Sequence, residues 1–126
     1  MGMAPLAMYL SANGYAVEAF DDFFREPLRA QLEKAGVRII NEPYPLEKPD
    51  YVVRSSAVQA SDSRLLSFET QGIKVWQRGE FLAHICKSKK VVAVVGSHGK
   101  TTTTGMLTWA LDQIGFDFSY IVGGRF

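Results

Sequence analysis

The stretch VVAVVGSHGKTT, residues 91–102, most constrains how this chain can fold. Its first five residues are all apolar and predict a buried strand, and the glycines that follow predict a turn. Glycine lets a backbone approach a ligand closely, and a helix that begins at the turn directs its free N–H groups to the same point. A strand, a glycine-bearing turn and a helix in this order predict a binding site for a nucleoside triphosphate.

The residue types in this turn favour ATP with Mg²⁺. We predict that the Lys100 ammonium contacts the β- and γ-phosphates as the catalytic cation, that the Thr101 hydroxyl binds Mg²⁺, and that Thr102 adds a hydrogen bond to phosphate. The other residues predicted to bind the nucleotide are Gly96, Ser97, His98 and Gly99. The alternative is an exposed turn capped by threonines, and the flanking strand and helix favour the nucleotide.

The chain continues to alternate between helix and strand after this turn. A spacing of i, i+3, i+4 and i+7 predicts a helix at 102–114 that packs on a sheet. The apolar positions with that spacing are Leu107, Ala110, Leu111 and Ile114. A strand is predicted at 118–122. We therefore expect residues 87–126 to begin a P-loop ATPase-type α/β domain, with the domain boundary in the basic link 87–90.

Residues 1–86 show the same alternation. Strands are predicted at 15–20, 37–40, 51–53 and 73–75. Helices are predicted at 4–12 with a stop at Gly14, at 27–35 with a stop at Gly36, from a cap at Ser61 or Ser63 to Thr70, and at 79–86. The prolines within 41–49 predict a loop. Strands separated by helices cannot form tight hairpins, so a parallel sheet covered by helices is expected. The predicted fold class is α/β, with a Rossmann-like parallel sheet domain at 1–86.

Composition excludes several classes of protein. A formal net charge of +1 gives no overall field that would attract nucleic acid or an anionic membrane. The apolar runs are far shorter than the roughly 20 residues that span a bilayer. Cys86 is the only cysteine, so no disulfide can form within the chain, and this favours a reducing compartment. We predict a cytoplasmic protein with no nucleic-acid partner and no membrane segment.

The loop GSHGKTTTT, residues 96–104, is similar to the ATP loop of the Mur ligases, whose short form is Gly-Thr-X-Gly-Lys-Thr/Ser-Thr. This short form accounts for Val94, which stands where the general P-loop pattern has glycine. His98 at the X position resembles the members that act on UDP-N-acetylmuramate itself, and Ser97 departs from the usual Thr. Further segments that resemble the family are DYVVRSSAV at 50–58, RGEFL at 78–82 and IVGG at 121–124.

The resemblance implies an ATP-dependent ligase that joins L-alanine to UDP-N-acetylmuramate in peptidoglycan synthesis. In that reaction the muramate carboxylate attacks the γ-phosphate of ATP and releases ADP, and the amine then attacks the resulting acyl phosphate and releases inorganic phosphate. A close alternative is the ligase that attaches an intact tripeptide to the same nucleotide-sugar, because residues 104–109 also resemble that branch. The non-enzyme alternative is a stand-alone nucleotide-binding module.

The resemblance also implies a site for the nucleotide-sugar. Gly2 resembles the end of the family's Gly-X-Gly-Gly-X-Gly-Met turn, which cradles the UDP diphosphate. Ser55 and Ser56 resemble residues that contact the nucleotide-sugar, and their alternative role is to satisfy a turn. Asp21 follows the strand predicted at 15–20, where an acidic residue accepts a hydrogen bond from a ribose or base. Its alternative role is to cap a helix.

The resemblance finally implies that this chain is part of a longer polypeptide. The family's first strand, most of its glycine-rich turn, its later Mg²⁺-binding acidic and histidine residues and its C-terminal domain do not stand in this sequence. Because loss of a parallel strand exposes a sheet edge, we expect weaker folding and weaker UDP binding than with that strand. We also expect the 126 residues alone to have no ligase activity.

Overall fold

A computed structural model describes residues 2–44 and 47–122 of the chain. The helices are α1 Met3–Ala12, α2 Glu26–Lys34, α3 Ser63–Thr70, α4 Arg78–Cys86 and α5 Lys100–Gln113. The strands are β1 Glu18–Ala19, β2 Arg38–Ile39, β3 Tyr51–Arg54 and β4 Lys74–Gln77. The alternation predicted for residues 1–86 is confirmed, with shorter strands at 18–19 and 38–39 than the sequence suggested. No helix of the described residues is long and apolar enough to cross a membrane.

The strands pair in parallel, as the intervening helices require. β1 pairs with β2, where Glu18 lies opposite Arg38, and α2 makes the crossover. β3 pairs with β4 from the Tyr51 and Lys74 pair to the Arg54 and Gln77 pair, and α3 makes that crossover. Within the described residues the four strands form two separate two-stranded ladders rather than one hydrogen-bonded sheet.

The helix ends follow local chemistry. Gly14 at φ +86° and Gly36 at φ +82° lie just after α1 and α2, and glycine adopts this left-handed conformation without strain, so the predicted stops are confirmed. The predicted cap of α3 is wrong, because its N-cap residue is Asp62 and not Ser61 or Ser63. The Asp62 carboxylate accepts the Arg64 amide at 2.9 Å, as a good N-cap side chain does.

Helix α1 packs against both ladders. Ala4 belongs to a buried cluster with Leu32 of α2 and Val37 before β2. Leu6 and Leu10 belong to a second cluster with Phe81 of α4, and the side chains of β3 and β4 surround that cluster. Val17 contacts both clusters, so the two ladders share one helix and one linking residue.

The second cluster also perturbs a tyrosine of β3. Burial, together with the neighbouring Tyr15 and Asp50, raises the pKa of Tyr51 above its usual value. The Tyr51 ring lies 5.0 Å from the Phe81 ring, measured between centroids. Aromatic contacts of this kind add to the stabilisation that burial of the rings provides.

Two strand predictions after Lys90 are wrong for the described structure. Residues 91–95 and 118–122 form no strand, and the side chains of Val92 and Val95 are 78% and 85% exposed. A strand needs a hydrogen-bonding partner, and neither ladder extends to these segments. The predicted helix is confirmed as α5, but none of its side chains is fully buried, so the predicted packing on a sheet is absent from the described part of the chain.

Two sets of residues singled out in the sequence lie outside the described part of the chain. They are Gly123 and Gly124, quoted for the family resemblance, and residues 45–46 of the predicted proline loop. The residues described on either side of 45–46 form no helix or strand, as predicted for that loop.

The second cluster predicts a large stability difference between two phenylalanines. Phe81 is 1% exposed, whereas Phe23 is 75% exposed. We expect Phe81→Ala to lower the free energy of unfolding by about 3–5 kcal/mol, because it removes buried apolar surface and leaves a cavity. Phe23→Ala is the matched control and should change it by less than about 0.5 kcal/mol. Urea denaturation followed by circular dichroism measures both, and equal losses would contradict the described packing.

Candidate functional site

The predicted phosphate loop leads directly into α5. Gly99 is the N-cap residue of this helix at φ +76°, and a Cβ built on it would meet nothing within 4 Å. Glycine is therefore favoured at this position by the left-handed backbone and not by crowding. No side chain caps the helix, so the N–H groups of its first turn, residues 100–102, have no intrahelical acceptor and remain available to an anion.

The Lys100 side chain folds back over this loop. Its Nζ donates to the carbonyl oxygens of Gly96 at 2.5 Å and Ser97 at 3.2 Å. The loop therefore has a cation held beside the free amides at the positive end of a helix. The seven residues predicted to bind nucleotide, 96–102, form one continuous turn and helix start, and all seven are exposed.

The Mg²⁺ prediction depends on one side chain, that of Thr101. Thr101 lies exposed in the first turn of α5, whereas the Thr104 hydroxyl donates to the Lys100 carbonyl at 2.8 Å and is used within the helix. In residues 2–44 and 47–122 no three His, Cys, Asp or Glu side chains are close enough to hold a metal ion. A Mg²⁺ ion here would need phosphate oxygens and water as its other ligands, as this ion commonly has.

A second group of predicted residues lies at the carboxyl edge of the β3–β4 ladder. Arg54 and Gln77 are paired at the ends of the strands, so Ser55 and Arg78 leave the ladder at the same edge. The Ser55 Oγ accepts the Ala57 amide at 3.2 Å, which is the turn-satisfying role named as the alternative for this serine. Ser56 is exposed beside it.

Arg78 brings Gly2 to this edge. The Arg78 Nη1 donates to the Gly2 carbonyl at 3.4 Å, and a Cβ on Gly2 would lie 2.9 Å from the Arg78 Cζ. Any larger residue at position 2 would therefore displace the guanidinium. The contact places a fixed positive charge at the N-terminus of α1, where the helix dipole also favours an anion. Residues 78–82 resemble the family, but no sequence pattern predicted a role for Arg78 in the site.

Asp21 lies two residues after the end of β1. Its Oδ1 accepts the Phe23 amide at 3.0 Å, within an exposed loop. The N-cap residue of α2 is Arg25, so the helix-capping alternative for Asp21 is wrong. The second carboxylate oxygen is left for another donor.

Arg64 joins the loop after β1 to the start of α3. Its Nε and Nη2 donate to the two carboxylate oxygens of Asp62 at 2.9 and 2.7 Å, and its Nη1 donates to Asp22 at 3.2 Å. The guanidinium carbon also lies 5.6 Å from the centre of the Phe20 ring. Hydrogen bonds from the Arg64 side chain and amide lower the pKa of Asp62 to about 2, and the same pairing raises the pKa of Arg64.

An open cleft of about 440 Å³ lies beside Arg64. Its lining consists of Asp22, residues 57–59, Ser61, Asp62 and Arg64 itself. The cleft therefore combines segments that follow β1 and β3, and Asp21 and Ser56 are the immediate neighbours of lining residues. Ligands of parallel α/β folds bind at this carboxyl edge. Arg64 and Asp22 are 42 residues apart, so no local pattern in the sequence indicated their pairing.

Comparison with known proteins identifies relatives for nearly the whole chain. Residues 1–90 match the family model described as "Mur ligase family, catalytic domain". The UDP-N-acetylmuramate–L-alanine ligase of Syntrophomonas wolfei is 39% identical over 127 residues, which is 98% of this chain and 27% of the relative. The enzyme of that name from Carboxydothermus hydrogenoformans is 37% identical and covers 99% of the chain. The chain thus spans about a quarter of the length of these curated relatives.

A solved structure shares the fold. The murein peptide ligase of Psychrobacter arcticus superposes with a TM-score of 0.78 at 34% sequence identity. The match covers 90% of this chain and 24% of that protein. The parallel α/β architecture is therefore that of a Mur-type ligase over most of the described residues.

The pairing of Asp62 with Arg64 makes stability depend on pH. The pKa of Asp62 falls from 3.8 to about 2 in the folded chain, so its contribution is complete above pH 3.8 and is lost as the pH falls through about 2. Asp62→Asn keeps an oxygen that can cap α3 but removes the charge. We expect wild type to be more stable than this variant at pH 6 and the difference to shrink between pH 3.8 and 2. Urea midpoints across that range test this, and a constant difference would contradict it.

Proposed function

The chain belongs to the Mur ligase family, and from this premise we propose that it provides the nucleotide-sugar site and the ATP loop of an enzyme that joins L-alanine to UDP-N-acetylmuramate. The observation that carries the proposal is the alignment of L-alanine ligases with 98–99% of the chain, at up to 39% identity. Curated relatives that are 33–39% identical to the chain share the name of the L-alanine ligase, and this favours L-alanine over a tripeptide as the acceptor. Membership of a ligase family likewise disfavours a stand-alone module.

The loop at 96–102 fits the triphosphate of ATP. Its free first-turn amides, uncapped helix and Lys100 ammonium together offer a concentrated positive potential without an opposing carboxylate among the residues of the loop. To bind phosphate, Lys100 exchanges the carbonyls of Gly96 and Ser97 for phosphate oxygens. Because the loop is exposed, water takes over those carbonyls and the exchange leaves no polar group unpaired.

We assign the positions in this loop according to their chemistry. Lys100 neutralises charge on the phosphoryl group being transferred, and the Thr101 hydroxyl is a ligand for Mg²⁺. Thr102 and the amides that follow Gly99 orient the phosphates. ATP with Mg²⁺ supplies the phosphoryl group that activates the muramate carboxylate. In this assignment residues 87–126 begin the ATP-binding domain.

The UDP-sugar is assigned to the carboxyl edge of residues 1–86. The amides that follow Gly2 at the start of α1, together with the Arg78 guanidinium, form a positive site for the diphosphate. The free oxygen of Asp21 accepts a ribose hydroxyl, and Ser56, with Ser55 holding the turn, contacts the sugar. The L-alanine site and the residues that complete the two sites above are assigned to the remainder of the polypeptide. We propose a cytoplasmic location for the reaction.

A chimeric enzyme tests the ATP assignment. The segment of the Syntrophomonas wolfei ligase that aligns with this chain is replaced by the chain itself. We expect ADP release that depends on both UDP-N-acetylmuramate and L-alanine. Lys100→Ala should lower kcat by about 10²–10³-fold, because it removes a preorganised charge at the transferring phosphoryl group.

Lys89 provides the matched control for this substitution. It is an exposed lysine in the link after α4, outside the loop, and Lys89→Ala should change kcat by less than about twofold. Full turnover by the Lys100→Ala chimera would contradict the role of the loop. A folded chimera that binds UDP-N-acetylmuramate but never releases ADP would contradict the proposed function of the chain.

A further inference from the structure

We propose that Arg64 is a positioning residue for Asp21, holding the loop after β1 so that the free Asp21 oxygen is available to the ribose of a bound uridine nucleotide. The proposal rests on the proposed function, because it concerns the UDP-sugar site. It adds a residue that acts on the site through the position of Asp21. Neither local sequence pattern nor the family resemblance singled out this arginine.

The Arg64 guanidinium holds the residues on both sides of Asp21. The Phe20 ring centre lies 5.6 Å from its central carbon, and the Asp22 carboxylate accepts from Nη1 at 3.2 Å. Asp21 lies between these two residues in the chain, and its Oδ1 accepts the Phe23 amide at 3.0 Å.

Arg64 can act as a support because it is itself held in place. Its Nε and Nη2 make a bidentate pair with Asp62, the N-cap residue of α3, and these two side chains are 33% and 21% exposed. A planar guanidinium with two parallel bonds has a defined orientation, which a lysine ammonium does not provide. Only the third nitrogen reaches across to Asp22, whose side chain is 79% exposed.

The loop between β1 and α2 depends on this support. Residues 20–25 belong to no ladder, and residues 21–23 are exposed. Phe24 packs on the first buried cluster and anchors the far end of the loop. Arg64 anchors the near end through Phe20 and Asp22, so Asp21 lies between two fixed points. Loss of the Asp22 contact would free the segment that carries Asp21 without disturbing the cap of α3.

The test uses the chimeric enzyme, with the chain in its wild-type or substituted form, and compares its affinity for UDP with its affinity for 2′,3′-dideoxy-UDP by calorimetry. The ratio of the two dissociation constants reports how much the ribose hydroxyls contribute to affinity, because any effect of a substitution on diphosphate binding cancels in the ratio. We expect wild type to prefer UDP roughly tenfold or more, as for a hydrogen bond to a carboxylate. Asp21→Asn should reduce the preference to about twofold or less, since the carboxylate charge is lost.

Asp22→Asn separates positioning from stability. It breaks the exposed contact with Arg64, leaves the Asp62 pair intact and should reduce the UDP preference at least about threefold, with an unchanged urea midpoint. In an Asp21→Asn background the same substitution should have no further effect on the ratio. Arg64→Lys should lower the UDP preference to a similar extent, and it should also lower the urea midpoint because the bidentate pair with Asp62 is lost. Glu33→Gln, which breaks the similarly exposed pair with Arg29 at 3.2 Å, is the control and should leave the ratio unchanged.

The outcomes distinguish failure of the positioning role of Arg64 from failure of the proposed function. A full UDP preference in both Asp22→Asn and Arg64→Lys would overturn the positioning role alone. Wild type that binds UDP and its dideoxy analogue equally would also overturn the inference, because Asp21 would then not contact the ribose. Wild type that binds neither nucleotide would overturn the UDP-sugar site in the proposed function as well.

Discussion

Burial of α1 between the two ladders is the interaction on which the rest of the structure depends. The helix carries apolar residues around most of its circumference, a pattern that is stable only when more than one side is covered. Ala4 packs toward α2, whereas Leu6 and Leu10 pack toward Phe81. The ladders share no hydrogen bond among the described residues, so this packing is what keeps their strand ends at one edge.

The position of α1 also determines the chemistry of that edge. Its N-terminus lies against Arg78, the first residue of α4, while the loops after β1 and β3 meet at Arg64. Two arginines from different helices therefore connect segments that are far apart in the sequence. Arg78 adds charge to a helix end, whereas the charge of Arg64 is shared with Asp62 and Asp22. Arg78 is therefore suited to bind an anion, whereas Arg64 is suited to hold a loop.

Features with a local cause could be predicted from the sequence, and features that depend on distant partners could not. The stops at Gly14 and Gly36 follow from backbone conformation alone, and both are confirmed. The parallel pairing followed from helices between strands, which is also a matter of order along the chain. The strand predicted at 91–95 was wrong because apolar composition cannot supply a hydrogen-bonding partner. The Arg64 and Asp22 pair was missed for the same reason, since no spacing rule relates residues 42 apart.

The two predicted sites also differ in whether local or distant contacts form them. The proposed ATP loop is formed by short-range contacts, namely the left-handed Gly99, the Lys100 bonds to two nearby carbonyls and the hydroxyl bonds within α5. A helix of 14 residues is marginal without tertiary packing, and α5 has no buried side chain. The proposed nucleotide-sugar edge is instead held by contacts that span tens of residues and rest on a buried core. Helix α5 therefore depends on packing beyond the described contacts for its stability, whereas the proposed nucleotide-sugar edge is already supported by the described residues.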